Sequence, residues 1–127
     1  MTEEKTETEE KTFWALDLSL DLYDCDIDKF NVPDIKKFGK KLGDFLDPDA
    51  WTSVQTAKFG EGEELMEGFR LIHESYASLI TAHFVNKSKK AYINIHSCQP
   101  YKPTEAIELC GDFFDTTKYA CKKHMRD

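Results

Sequence analysis

Three residues of this chain have side chains suited to group-transfer chemistry. Ser78 precedes His83 by five positions in SYASLITAHF, and Cys98 stands fifteen positions beyond His83, at the end of AYINIHSC. A hydroxyl, an imidazole and a thiol can supply a nucleophile, a base and an acid. Spacing alone does not establish such a site, because catalytic groups meet in space rather than along the chain. Taken singly, a strand serine is most often a hydrogen-bonding filler, a histidine a satisfied polar group, and a cysteine a small buried hydrophobe. The elements that carry the three residues decide what they can do.

Those elements are readable from periodicity. In FWALDLSLDL, residues Trp14, Leu16, Leu18, Leu20 and Leu22 alternate with Ala15, Asp17, Ser19 and Asp21, which predicts a strand with one apolar face. Pro33 suits a first helical turn. Ile35, Phe38, Leu42, Phe45 and Leu46 then recur at helical spacing, and Asp47-Pro48 ends the helix. Residues 51–59 form a second strand candidate, 68–85 one long strand or a bent pair, and 91–98 another, with NKSKK as the intervening turn. Pro103 opens a second helix with Ala106, Ile107, Cys110, Phe113 and Phe114 inward, and KYACKKHMR is a last strand. This order predicts an α+β fold, a mainly antiparallel sheet with two helices covering one face.

Composition removes whole classes of function. The 127-residue chain carries 24 acidic and 17 basic side chains, a net charge of -7, so a nucleic-acid or anionic membrane surface would repel it. No apolar run approaches the roughly 20 residues of a membrane span, and MTEEKTETEEKT has no apolar core of a secretory signal. Cys25, Cys98, Cys110 and Cys121 show no CxxC pattern, so reduced thiols in a cytoplasmic protein are expected, without a structural metal. Asp24, Asp26 and Asp28 lack the glycine and glutamate of a calcium loop. GEGEE at 60–64 is an acidic turn, not a phosphate loop. Residues 1–12, only Met, Thr, Glu and Lys, read as a disordered acidic tail ahead of a single domain over 13–127.

ASLITAHF followed by AYINIHSC resembles the processing and active site of S-adenosylmethionine decarboxylase in its short bacterial and archaeal form. The family carries a serine that becomes a pyruvoyl group, a histidine five residues later and a cysteine fifteen beyond that, as Ser78, His83 and Cys98 do here. LDLYDCD at 20–26 is similar to the end of the family's first strand, and KPTEAIELCGDFF to its second helix. The resemblance implies a proenzyme that cleaves itself between Ala77 and Ser78. Ser78 attacks the Ala77 carbonyl, His83 assists elimination of the resulting ester, and hydrolysis leaves the pyruvoyl group as a self-made cofactor. That group condenses with a substrate amine, and Cys98 returns a proton to the substrate carbon. The product would be the aminopropyl donor of polyamine synthesis, made by a homodimer of processed chains. Because Ser78 and His83 point to opposite faces of an ideal strand, the resemblance further predicts a bend or bulge near Ala82.

The chain departs from the family at several positions. Ala77 replaces a glutamate before the cleaved serine. Glu74-Ser75 offers such a pair, but Ile80 stands five residues after Ser75, so the histidine is retained only with Ser78. Arg70 is nearest to where the family carries a processing serine. Where many members have Thr-Trp-Pro-Glu, whose glutamate contacts the ribose, this chain has Phe84-Val85-Asn86-Lys87. Phe84, Asn86 and Glu63 are the substrate-binding candidates, with Glu61 and Glu64 also able to reach in from the glycine turn. Three readings follow: a decarboxylase of S-adenosylmethionine, a decarboxylase of arginine or ornithine on the same fold, or an uncleaved silent homologue that binds a ligand or partner subunit. His96 shares a strand face with Asn94 and Cys98, so it either tunes the thiol or lines the sheet. His73 and His124 show no partner in the sequence, and Cys25, Cys110 and Cys121 read as core or near-core thiols.

Overall fold

The computed structural model describes residues 14–48 and 53–127. The acidic tail and the start of the expected 51–59 strand lie outside the described residues. Six strands form one sheet: β1 (Ala15–Tyr23), β2 (Gln55–Phe59), β3 (Gly68–Glu74), β4 (Ser78–Val85), β5 (Lys90–Ser97) and β6 (Lys118–Arg126). Their spatial order is β2-β3-β4-β5-β1-β6, and every neighbouring pair is antiparallel. Helix α1 (Val32–Leu46) follows β1, and α2 (Pro103–Phe113) follows β5. The expected α+β architecture is what forms, and the 68–85 segment is the bent pair, a β3–β4 hairpin turning at Ser75–Ala77.

The alternating leucines of β1 explain the layering. Leu16, Leu18, Leu20 and Leu22 are all buried, as are Ile80, Ala82 and Phe84 on β4 and Ala91, Ile93 and Ile95 on β5. Side chains two apart share a face, so these rows form one apolar surface. Helix α1 begins with an Asn31 side chain accepting from the Asp34 amide and with proline in its first turn. It lays Ile35, Phe38, Leu42 and Leu46 on that surface. Phe38 meets Phe114 at 4.9 Å between ring centroids, and Phe30 meets Phe84 at 5.4 Å, both edge-on. Gly68 is fixed by close approach: a Cβ there would lie 1.8 Å from the Phe84 carbonyl oxygen.

Three expectations are corrected. Trp14 does not continue the buried row: it lies just before β1, is 59% exposed, and its ring stands 6.1 Å from that of His96. Cys121 is exposed, since every residue of the edge strand β6 is; Cys25 and Cys110 are buried as expected. Burial pushes the Cys25 thiol up to about 11, with Asp24 adding to the rise, so it stays a neutral thiol. His73 is not without company: it is buried on β3, and the backbone of Ser53 hydrogen-bonds it.

Candidate active site

The tight hairpin between β3 and β4 delivers Ser78 to the first position of its strand. The Ser75 amide donates to the Ser78 carbonyl at 2.8 Å. The Ser75 hydroxyl accepts from the Ala77 and Ser78 amides at 3.2 and 2.9 Å, folding the turn onto itself. Ser78 lies opposite Ser97 in the ladder, and the two buried hydroxyls are 2.6 Å apart. One residue further out, the Cys98 amide donates to the Ala77 carbonyl oxygen at 2.9 Å. The sheet thus brings together the Ala77–Ser78 peptide bond, the Ser78 hydroxyl and the half-buried Cys98.

His83 is not brought there. β4 pairs without interruption with β3 from Gly68↔Val85 to Glu74↔Leu79, and with β5 from Ser78↔Ser97 to Val85↔Lys90. The expected bulge near Ala82 does not occur, because Ala82 is paired on both sides, with Leu71 and Ile93. Ser78 faces the helices and His83 the open side of the sheet. Five strand steps of about 3.3 Å also separate them by roughly 16 Å. On the open face the His83 ring stacks on Phe59 with centroids 4.8 Å apart.

That open face carries two shallow cavities of about 240 and 220 Å³ that share Thr81 and Asn94. Arg70, His83 and Tyr92 line the first; Asp17, Ser19 and His96 line the second. His96 Nδ1 lies 2.5 Å from Asp17, whose second oxygen accepts from Arg126 at 2.8 Å. Partial burial would push the Asp17 carboxyl up, but the hydrogen bonds from Arg126 and His96 outweigh it and hold it below the usual range. His96 therefore does more than line the sheet: its contact with Asp17 joins β5 to β1, and Arg126 joins β6 to the same carboxylate.

The substrate-binding expectations divide. Phe84 is corrected outright: it is fully buried on the helix face against Phe30, Phe38 and Phe114, where no ligand reaches it. Asn86 stands in the β4–β5 turn, with its side-chain oxygen buried and without a hydrogen-bond partner. Glu63 is exposed in the glycine turn. Its neighbour Glu64 does the reaching, meeting Lys87 at 2.5 Å. Sequence reasoning missed Ser97, although a serine on the buried face of a strand otherwise holding Ala91, Ile93 and Ile95 was a signal. It also set Ser75 aside, which proves to organise the turn.

The arrangement fits a carbonyl group made from the chain itself: the Ser78 hydroxyl, the adjacent Ala77 carbonyl and the backbone of Cys98 meet at one strand end. No metal cluster of three or more His, Cys, Asp or Glu occurs among the described residues, and no helix among them is long and apolar enough to cross a membrane. No curated protein matches the sequence. Among solved structures, the adenosylmethionine decarboxylase from Aquifex aeolicus VF5 is similar, with 18% identity, a TM-score of 0.73 and coverage of 91% of this chain and 92% of that one. That likeness shows the fold. A family model described as S-adenosylmethionine decarboxylase matches residues 16–127. The chain belongs to the S-adenosylmethionine decarboxylase family.

Proposed function

We propose that the chain is the proenzyme of a pyruvoyl-dependent S-adenosylmethionine decarboxylase of the cytoplasm. Residues 13–127 form its catalytic domain, and the acidic tail over 1–12 stands outside it. The observation that carries this reading is the Ala77–Ser78 bond itself. Its carbonyl oxygen is held by the Cys98 amide at 2.9 Å, where negative charge develops when a hydroxyl attacks. The Ser78 oxygen bonds to the Ala77 carbonyl carbon, the carbon–nitrogen bond breaks, and the hydroxyl proton ends on the Ser78 nitrogen. Removal of the Ser78 Cα proton then expels the Ala77 carboxylate, and water releases ammonia. The pyruvoyl group so formed supplies a keto carbon for the substrate amine and a sink for the electrons left as carbon dioxide departs. Cys98, whose backbone amide meets the Ala77 carbonyl, is the residue assigned as proton donor to the substrate.

His83 is the processing base, and its position fits a partner's site better than its own. With the Ser78 side chain toward the helices, its Cα hydrogen leans toward the open face, the face His83 lines. Two sheets packed by their open faces about a two-fold axis near Thr81 would set each His83 over the other chain's Ser78 end. Such a homodimer would cover Leu79 and Tyr92, which are 39% and 37% exposed.

For the substrate, Glu64 beside Lys87 and the unpartnered Asn86 oxygen supply acceptors for ribose hydroxyls where the family's glutamate is missing. Carbon dioxide release from carboxyl-labelled S-adenosylmethionine, arginine and ornithine tests the assignment. Release from the nucleoside is expected. Release from arginine or ornithine alone would keep the chemistry and overturn the substrate. No release from any, by a chain that stays uncut, would leave a silent binding homologue.

A further inference from the structure

We propose that Ser97 is a positioning residue for self-cleavage, holding the Ser78 hydroxyl in line for attack on the Ala77 carbonyl. The inference rests on the proenzyme reading and deepens it. Ser97 is fully buried and Ser78 is 5% exposed, so neither hydroxyl is hydrogen-bonded by bulk water. Leaving a buried hydroxyl unpaired is costly, which keeps the pair together at its 2.6 Å separation. The Gln99 amide donates to the Ser97 oxygen at 3.0 Å, filling one lone pair and fixing that side chain from outside. The second lone pair is left to accept the Ser78 proton. With its hydrogen directed at Ser97, Ser78 keeps its own lone pairs for the neighbouring carbonyl carbon.

The same strand end fixes the other reactant. Cys98, next to Ser97, holds the Ala77 oxygen through its amide, while Ser75 holds the Ser78 nitrogen at 2.9 Å. Nucleophile, carbonyl and leaving nitrogen are thus each held by a different group before any bond changes, which is how orientation lowers a barrier. Ser97 neither gains nor loses a proton overall, since the hydroxyl proton of Ser78 finishes on the Ser78 nitrogen. Arg70, near the place of the family's processing serine, is exposed on the opposite face of the sheet and serves no such role.

Cell-free synthesis of the full chain, followed by denaturing mass measurement over time with and without hydroxylamine, tests this. Hydroxylamine cuts the ester that follows Ser78 attack, so it reports that step separately from elimination. Ser97→Ala should slow fragment formation at least about tenfold, with no hydroxylamine-sensitive ester accumulating. Ser97→Thr, which keeps the hydroxyl, should cleave near the wild-type rate. Ser97→Cys is close to serine in size and a poor acceptor; it should behave like Ser97→Ala and serves if the alanine variant does not fold. Wild-type cleavage rates in Ser97→Ala, or equal slowing in Ala and Thr, would overturn the role of Ser97 and leave the proenzyme reading intact. A wild-type chain that never cleaves, even with hydroxylamine, would remove both.

Discussion

The two faces of strand β4 are built for different ends. Toward the helices, Ile80, Ala82 and Phe84 are almost fully buried and meet the phenylalanines of α1 and of the turn after α2. Toward the other side, Leu79, Thr81 and His83 meet only a sparse polar neighbourhood, with Phe59, Asn94 and Tyr92 nearby. The first face is complete within one chain. The second keeps Leu79 and Tyr92 partly exposed, the side chains that the proposed dimer would cover. Ser78 marks the join, its side chain on the packed face and its Cα proton leaning to the open one.

This contrast breaks most visibly at the site. Ser78→Ala should abolish cleavage, and His83→Ala should slow it by about 10²–10⁴-fold, the usual worth of a positioned base. If His83 serves its partner, co-refolding the two defective variants restores cleavage of the His83→Ala chain, because its serine then meets an intact histidine. Gel separation of the mixed product reads this directly. No recovery, with mixed dimers demonstrated, would return His83 to its own chain or to no role.

On stability the faces should differ by several kcal/mol. Phe38→Ala removes a fully buried ring from the aromatic cluster and should cost about 3–5 kcal/mol in denaturant unfolding. Tyr92→Ala on the open face should stay within about 0.5 kcal/mol for the isolated chain, while weakening association measured by sedimentation. Equal losses would mean that both faces are core.

The smallest effect concerns Asp17, through which His96 ties β5 and Arg126 ties β6 to β1. Arg126 and His96 hold the Asp17 carboxyl below its ordinary 3.8 despite partial burial. A lowered folded value means that its contribution is present above 3.8 and lost as pH falls through the folded value. Urea midpoints of Asp17→Asn should therefore vary less than wild type between about pH 5 and about pH 2. Parallel curves would show that these contacts add nothing.

Much of the fold was legible because burial and periodicity are one phenomenon: the leucines of β1 and the helical row from Ile35 to Leu46 alternate as their faces do. Trp14 departs from the row because the strand begins only at Ala15, and strand parity no longer fixes the side of a residue that precedes it. Phe84 was misread because a likeness in motif carried a ligand contact onto a position whose strand parity places it in the core. Parity also predicted that Ser78 and His83 would be opposed. Joining them within one chain requires a bulge that the continuous ladder excludes. Ser97 is marked in the sequence as a serine on a buried strand face, but only strand register shows that its partner is Ser78, and only turn geometry brings Lys87 to Glu64.

The most direct measurement is the intact mass of the purified chain under denaturing conditions. Two fragments are expected, one ending at Ala77 and one beginning at residue 78 with a keto group that blocks N-terminal sequencing. A single uncut chain after prolonged incubation would contradict the proenzyme reading.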